Sequence, residues 1–291
     1  MDKKIILFVA GFLLVLNVFA WQEVFALNSP HYLKVYFLDV GQGDSAFIQT
    51  PGNHQILIDG GPTSAVLGKL SERMPFWDKD LDLVVLSHPE SDHMQGLLYI
   101  LQVYKADYIL WSGVTKTTPE YKIWIDALEK QKKMGAKIII AKAGEEIKAG
   151  NVLIDTIYPL ESLEGKEMKS TSNDSCVVVK VIYGKGSFLF TGDISSTAEK
   201  ELANSHELAE LKSDVLKVSH HGSKYSTSDL FLEVVNPAVA AISVGAKNIY
   251  GHPTSEVLQR LEKFGIKVER TDKNGDVDFV SDGNKIKLLN N

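Results

Sequence analysis

The apolar run Leu83–Leu86 ends abruptly in Ser87-His88-Pro89-Glu90-Ser91-Asp92-His93, and no other junction in the 291 residues constrains the fold as tightly. Four residues able to ligate a cation fall within six positions. A tight loop at a strand end can fold such a run back so that His88 and Glu90 reach one ion while Asp92 and His93 reach another. A lone histidine near a strand end is usually a satisfied surface or core residue. Two histidines and two carboxylates at the carboxyl end of an apolar strand, where α/β folds gather their ligand sites, point instead to a metal centre.

Around this junction the apolar periodicity alternates. Leu33–Asp39, Ser45–Thr50 and Gln55–Asp59 read as strands of a meander, separated by Gly or Pro-Gly turns. Helix and strand then take turns: a helix from Ala65 to about Met74, strand Leu83–Leu86, a helix near Gly96–Val103, a strand near Tyr108–Trp111 and a helix Pro119–Met134. A second meander is expected at Ile138–Ala141, Val152–Tyr158, Cys176–Tyr183 and Ser187–Phe190. Helices Ser195–Ala203, Ser228–Val235 and Ser255–Phe264 then alternate with strands Val215–Val218 and Val239–Val244, and short strands near Val268, Val277 and Ile286 close the chain. Two such blocks predict an α/β fold, a four-layer αββα sandwich with helices outside two packed sheets. The Glu-, Lys- and Ser-rich stretch Glu161–Ser172 reads as a mobile loop within that domain.

The N-terminus reads differently. Lys3 and Lys4 precede an uncharged run, Ile5–Trp21, close to the roughly 20 residues that span a bilayer. The expectation is that residues 1–27 form a signal peptide or membrane anchor, with Asn28-Ser29-Pro30 as a linker and residues 28–291 as the domain. Cleavage after Ala20 or Ala26 and retention as an anchor are both open. Positive charge on the inner side would place the domain outside, exported or secreted. Cys176, the single cysteine, cannot form an internal disulfide and says nothing about compartment. A formal charge of −6 gives no bulk basic signal for a long nucleic acid, although bound divalent ions would reverse the local charge of an acidic cleft.

The run from His88 to His93 resembles the H-x-[HDE]-x-D-H signature of the metallo-β-lactamase superfamily, with Glu90 where most members carry a second histidine. Leu57-Ile58-Asp59-Gly60-Gly61 and Phe190-Thr191-Gly192-Asp193 resemble two further family segments in the same order. More narrowly, Leu38-Asp39-Val40-Gly41-Gln42-Gly43-Asp44-Ser45, Ser219-His220-His221-Gly222-Ser223 and Tyr250-Gly251-His252-Pro253 resemble the extracellular hydrolase domain of the ComEC DNA-uptake family.

The resemblance implies two divalent metal ions, zinc or manganese, held by His88, Glu90, Asp92, His93, Asp193 and His221, with Asp193 as the bridge. Without the other segments, Asp193 would read as a turn residue or as the N-cap of the helix near Ser195. His220 and His221 are adjacent, and neighbours on an extended segment point to opposite faces, so one ligand is expected from the pair, His221. Asp92, His220 and His252 are the candidate catalytic residues. Asp59 is expected to orient a ligand histidine, with Asn173, Asp174 and Asp44 in supporting positions. No histidine occurs between His93 and His206, so Ser172-Asn173-Asp174-Ser175 stands where many family members supply a third one. An oxygen-rich ligand set favours manganese or magnesium relative to zinc.

The implied reaction is attack by activated water on a phosphodiester, with DNA in competence-type uptake as the substrate to which the resemblance points, and with a membrane as second partner. A non-catalytic DNA- or surface-binding module of the same fold, and a lactam or ester hydrolase, are the alternatives.

Overall fold

Strand β4, Asp80–Leu86, shows how the layers arise. Leu83 and Val85 point into one apolar cluster while Val84 and Leu86 point into another, so both faces of this strand are sealed, as parallel strands require. A computed structural model describes residues 3–28, 32–168, 172–205 and 211–289. The chain divides into two units, residues 1–31 and residues 32–291.

In the larger unit the first sheet has the order β15-β14-β1-β2-β3-β4-β5-β6. These strands are β1 (Leu33–Phe37), β2 (Ala46–Gln49), β3 (Gln55–Ile58), β4, β5 (Lys105–Trp111), β6 (Lys137–Ile140), β14 (Val277–Ser281) and β15 (Ile286–Leu289). The second sheet runs β13-β12-β11-β10-β9-β8-β7. Its strands are β7 (Glu146–Ala149), β8 (Val152–Tyr158), β9 (Val178–Tyr183), β10 (Gly186–Phe190), β11 (Val215–Lys217), β12 (Val239–Ile242) and β13 (Lys267–Arg270). In each sheet the meander half is antiparallel and the half joined through helices is parallel, β3 to β6 and β10 to β13.

The two inner faces share one core, in which Phe37 stacks on Phe190 across the sheets at 5.4 Å. Helices α2 (Ala65–Ser71), α3 (Ser91–Val103) and α4 (Pro119–Lys133) cover the outer face of the first sheet. Helices α5 (Ser196–Asn204), α6 (Asp229–Val235) and α7 (Ser255–Lys263) cover that of the second. The fold is the expected four-layer αββα sandwich.

Several local expectations are corrected. Residues near Ile138 form β6, the parallel edge of the first sheet, because β6 pairs with β5 and not with a second meander. That meander begins instead at β7, whose Glu-Ile-Lys-Ala sequence alternates too weakly to announce an edge strand. Helix α3 starts at Ser91, not near Gly96; its first turn carries polar ligand candidates, so the apolar period begins only at Met94. A short helix α8, Thr271–Asn274, follows β13. Of the loop expected at 161–172, residues 113–115 hold part in place, with Thr115 N donating to Lys166 O and Met168 N to Thr115 O; residues 169–171 lie outside the described residues.

The smaller unit contains helix α1, Lys3–Asn28. Its segment Lys3–Trp21, 19 residues of mean hydropathy 2.2, is long and apolar enough to cross a membrane. Ser29 and Pro30 of the expected linker lie outside the described residues.

Candidate metal centre

Four loops meet where the strands of both sheets end. The turn after β3 supplies Asp59, the turn after β4 leads through His88 into the first turn of α3, the turn after β10 supplies Asp193, and the segment after β11 supplies His220 and His221. Close packing fixes these loops against each other. A Cβ on Gly96 would stand 1.8 Å from Gly60 O, and one on Gly43 would stand 2.2 Å from Asp92 O. Glycine is therefore demanded at both contacts, and Asp44 N donates to Asp92 O at 3.1 Å across the second.

Asp92, His93, Asp193 and His221 come together, each offering a ligand atom within 4.8 Å of the others. His93 Nε2 lies 3.3 Å from Asp193 Oδ1, and His221 Nε2 lies 3.3 Å from Asp92 Oδ2 and 3.5 Å from Asp193 Oδ2. The opposite ring nitrogens are anchored. His93 Nδ1 is 2.9 Å from Asp59 Oδ2, while Asp59 also accepts from Ser87 N and Ser87 Oγ. His221 Nδ1 is 2.8 Å from Ser243 O. Such partners fix ring orientation and leave Nε2 of each ring for a ligand. His88 is buried beside His93, ring centroids 4.2 Å apart, with its Nδ1 3.0 Å from Ser87 Oγ.

The backbone at the histidine pair is not the extended segment the sequence suggested. His220 and His221 have φ of 50° and 53°, the left-handed region, which costs non-glycine residues roughly 1–2 kcal/mol each. Surrounding contacts over-determine this turn: Gly222 O accepts from Thr254 N, and a Cβ at Gly222 would meet Pro253 Cβ at 2.5 Å. The turn sends His221 into the cluster and leaves His220 at the edge of a cleft, its Nε2 3.8 Å from Asp193 Oδ2.

Two expected ligands or supports accept hydrogen bonds from other side chains. Glu90 Oε1 accepts from Lys116 Nζ at 2.7 Å and from Ser172 N and Oγ, so one of its oxygens is engaged, while the residue lines the cleft beside the four-residue cluster. Asp174 Oδ1 accepts from Ser195 Oγ at 2.6 Å, facing the start of α5 and not the histidines. Ser195 also caps α5, a task Asp193 therefore does not have. Asn173, by contrast, faces the cleft, with Nδ2 3.4 Å from His220 Nδ1.

Sequence reasoning missed Lys217. Its ammonium is buried, ion-paired with Asp44, 3.5 Å from Asp193 Oδ1 and donating to Gly192 O at 2.8 Å. A signal existed: Val215-Leu216-Lys217-Val218 places a lysine on a strand sealed on both faces. Asp44, expected as a support or loop residue, is thereby drawn inside, 3.3 Å from His221 Nδ1. Cys176, also buried, accepts from Asp193 N at 3.2 Å.

Charge and burial compete throughout the cluster. Burial alone would push His221 down, but Asp193 and Asp44 prevail and raise it to about 10. Burial opposes His93 likewise, and Asp193, Asp44, Asp59 and Asp92 hold it well above its ordinary value. Burial favours a protonated Asp193, yet His221, His93 and Lys217 hold it well below the carboxylate range. His88 has no adjacent carboxylate strong enough: burial and then the charge of His93 push it down to about 3.

The donor set fits divalent cations. Among buried atoms without a hydrogen-bond partner are His88 Nε2, His93 Nε2, His221 Nε2 and Asp193 Oδ1. Unsatisfied buried polar atoms cost roughly 1–3 kcal/mol each, and imidazole nitrogen with carboxylate oxygen suits zinc, manganese or iron. A cleft of 680 Å³ opens over them, lined by Asp92, Asp193, His220, Asn173, Tyr250 and His252 among others.

The sequence profile of the Metallo-beta-lactamase superfamily matches residues 38–246. The chain is 33% identical over 266 residues to ComE operon protein 3 of Bacillus subtilis, covering 84% of this chain and 33% of that protein. It is 30% identical over 241 residues to competence protein ComA of Neisseria gonorrhoeae, covering 83% and 31%. It is 31% identical over 256 residues to recombination protein 2 of Haemophilus influenzae, covering 86% and 29%. The chain thus spans about a third of the length of these relatives, competence proteins of the ComEC type. Among solved structures, the metallo-beta-lactamase fold protein YhfI of Bacillus subtilis aligns with a TM-score of 0.55 at 17% identity, over 86% of this chain and all of that one. The metal-dependent hydrolase Tm1679 aligns with a TM-score of 0.51 at 13% identity, over 82% and 95%. The profile match, the relatives and the fold agree that this chain belongs to the metallo-β-lactamase superfamily.

Proposed function

We propose that the chain is a two-metal phosphodiesterase that cleaves DNA at the outer face of a membrane, to which α1 anchors it or through which α1 directs it. The observation that carries this reading is the convergence of four buried ligand atoms without a hydrogen-bond partner, on His88, His93, His221 and Asp193, beside an open cleft. The competence relatives support DNA as the substrate.

Asp92, His93, His221 and Asp193 would hold one ion. His88, with Asn173 and Glu90, would hold the other. When bound, the ions supply activated water and offset the negative charge that builds on the attacked phosphate. The chain's own residues do the rest. Asp59 and Ser243 O orient the ligand histidines, and Lys217 holds Asp44 and Asp193 ionised. His220 and His252, both pushed down chiefly by burial, present neutral rings at the cleft, where a ring N–H can hydrogen-bond the leaving oxygen. A second reading, a non-catalytic binding module, is favoured by the Glu90–Lys116 pair, which withdraws one ligand oxygen.

The test is hydrolysis by the full chain in detergent of single-stranded DNA, duplex DNA, a chromogenic phosphodiester and a β-lactam, with Mn²⁺ or Zn²⁺. Cleavage of the phosphodiesters that Asp193→Ala and His93→Ala both abolish supports the proposal. A folded, metal-loaded chain that cleaves none of them sinks it and leaves the binding module; opening of the lactam alone would select an acyl hydrolase.

A further inference from the structure

At the mouth of the cleft, Ile249 is 91% exposed and Tyr250 64% exposed, two adjacent large apolar side chains turned to solvent. Their exposure does not come from a loose loop. Asn248 braces the segment, its Nδ2 donating to Gly245 O at 2.9 Å and to His252 O at 2.8 Å while its Oδ1 accepts from His252 N at 2.9 Å. Gly245 N in turn donates to Gln42 Oε1. A rigid turn therefore holds the lip open.

The Tyr250 ring lies nearly parallel to that of His252, 19° between planes and centroids 5.9 Å apart, while 64% of the Tyr250 surface stays open to solvent. His252 in turn lies 5.7 Å from His220, whose Nε2 is 3.8 Å from Asp193. A file of rings thus leads from the lip to the cluster. Lys247 lines the same lip and adds a cation. A flat aromatic face, an aliphatic edge and a lysine match a planar, uncharged ring system joined to an anion.

We infer that Ile249 and Tyr250 form a base-stacking subsite, which holds the nucleobase next to the phosphate being cleaved while Lys247 faces the adjoining backbone. This rests on the phosphodiesterase reading of the site and specifies how its substrate is gripped. Stacking on an aromatic side chain is worth about 1–3 kcal/mol per base, so such a subsite discriminates between base-bearing and base-free strands by roughly 5- to 150-fold.

The experiment uses the full chain in detergent with Mn²⁺. Turnover of a hexathymidylate is compared with that of a hexamer carrying abasic tetrahydrofuran residues, expressed as a ratio of kcat/KM. In parallel, quenching of a 2-aminopurine base in a bound oligonucleotide is followed with the Asp193→Ala chain. The wild-type ratio is expected to exceed about fivefold. Tyr250→Ala and Ile249→Ser, the latter with no ring contact to His252, bring the ratio towards one, whereas Tyr250→Phe restores it. A wild-type ratio near one, or a ratio that neither variant moves, overturns the subsite while leaving hydrolysis intact. If no strand is cleaved, the hydrolytic reading fails and quenching decides: Tyr250-dependent quenching keeps the subsite as a binding element, and its absence removes it.

Discussion

The Lys217 ammonium lies 3.5 Å from the Asp193 carboxylate, both side chains sealed from solvent, so a fixed protein cation sits against a carboxylate of the candidate metal cluster. Removing one partner of a buried ion pair leaves the other uncompensated. Lys217→Met is therefore expected to destabilise chelator-treated protein by about 3 kcal/mol in urea denaturation. Saturating Mn²⁺ or Zn²⁺ should recover part of that loss, since a bound cation replaces the missing charge. An unchanged denaturation midpoint would show that Asp44 and Asp193 do not depend on Lys217.

Asp59 makes a different prediction, because it touches the ring of His93 and not the cleft. Asp59→Asn keeps the volume and removes the charge that fixes His93 with its Nε2 free. Divalent-cation affinity should fall about 10- to 100-fold, as loss of a partner behind a ligand histidine usually costs. Competition titration against a chromophoric chelator reads this directly, and near-wild-type affinity would place the orienting role elsewhere.

In chelator-treated protein, His221 and His88 are shifted in opposite directions, and His93 is raised as His221 is. His221, raised to about 10, binds its proton more tightly folded than unfolded, so its contribution is complete below pH 6.5 and is lost as pH rises towards 10. His88, lowered to about 3, stays neutral in the fold while the unfolded chain takes up a proton, so its contribution is complete above pH 6.5 and is lost as pH falls towards 3. From these groups stability should peak near pH 6.5. Binding of a cation should also release the His221 proton, and its affinity should rise with pH between 6.5 and 10. Urea midpoints and isothermal titration in buffers of different ionisation enthalpy test both statements.

Two glycine substitutions separate packing from propensity. Gly96→Ala would drive a methyl against Gly60 O and push the start of α3 from the sheet; a loss of about 1–3 kcal/mol and weaker cation binding are expected. Gly68→Ala, in α2 with nothing within 4 Å, should stabilise by roughly 0.5–1 kcal/mol. Thermal denaturation of the two variants distinguishes them by sign.

The layered fold was legible because its strands carry their burial in their sequence. Leu83–Leu86 is apolar at every position as a central parallel strand must be, and the Gly-rich turns mark the ends of β1 to β3. What misled was chemistry placed where periodicity is read. The first turn of α3 spends its positions on Asp92 and His93, so the helix looked shorter than it is. The pairing of Glu90 with Lys116, 26 residues away, and of Asp174 with Ser195 depends on tertiary contacts that no spacing encodes. An extended segment would turn only one of His220 and His221 inward, and the left-handed turn they adopt likewise leaves one of them at the cluster. Lys217 could have been noticed as a charge on a buried strand, but its partners Asp44 and Asp193 lie on other elements.

The most direct test of the account is to strip the full chain with chelator, restore Mn²⁺ or Zn²⁺ stepwise, and record bound metal and phosphodiester cleavage on the same samples. Cleavage is expected only with bound metal, and Asp193→Ala and His221→Ala should lose both together. Cleavage that persists in the stripped chain, or metal bound equally well by both variants, would contradict it.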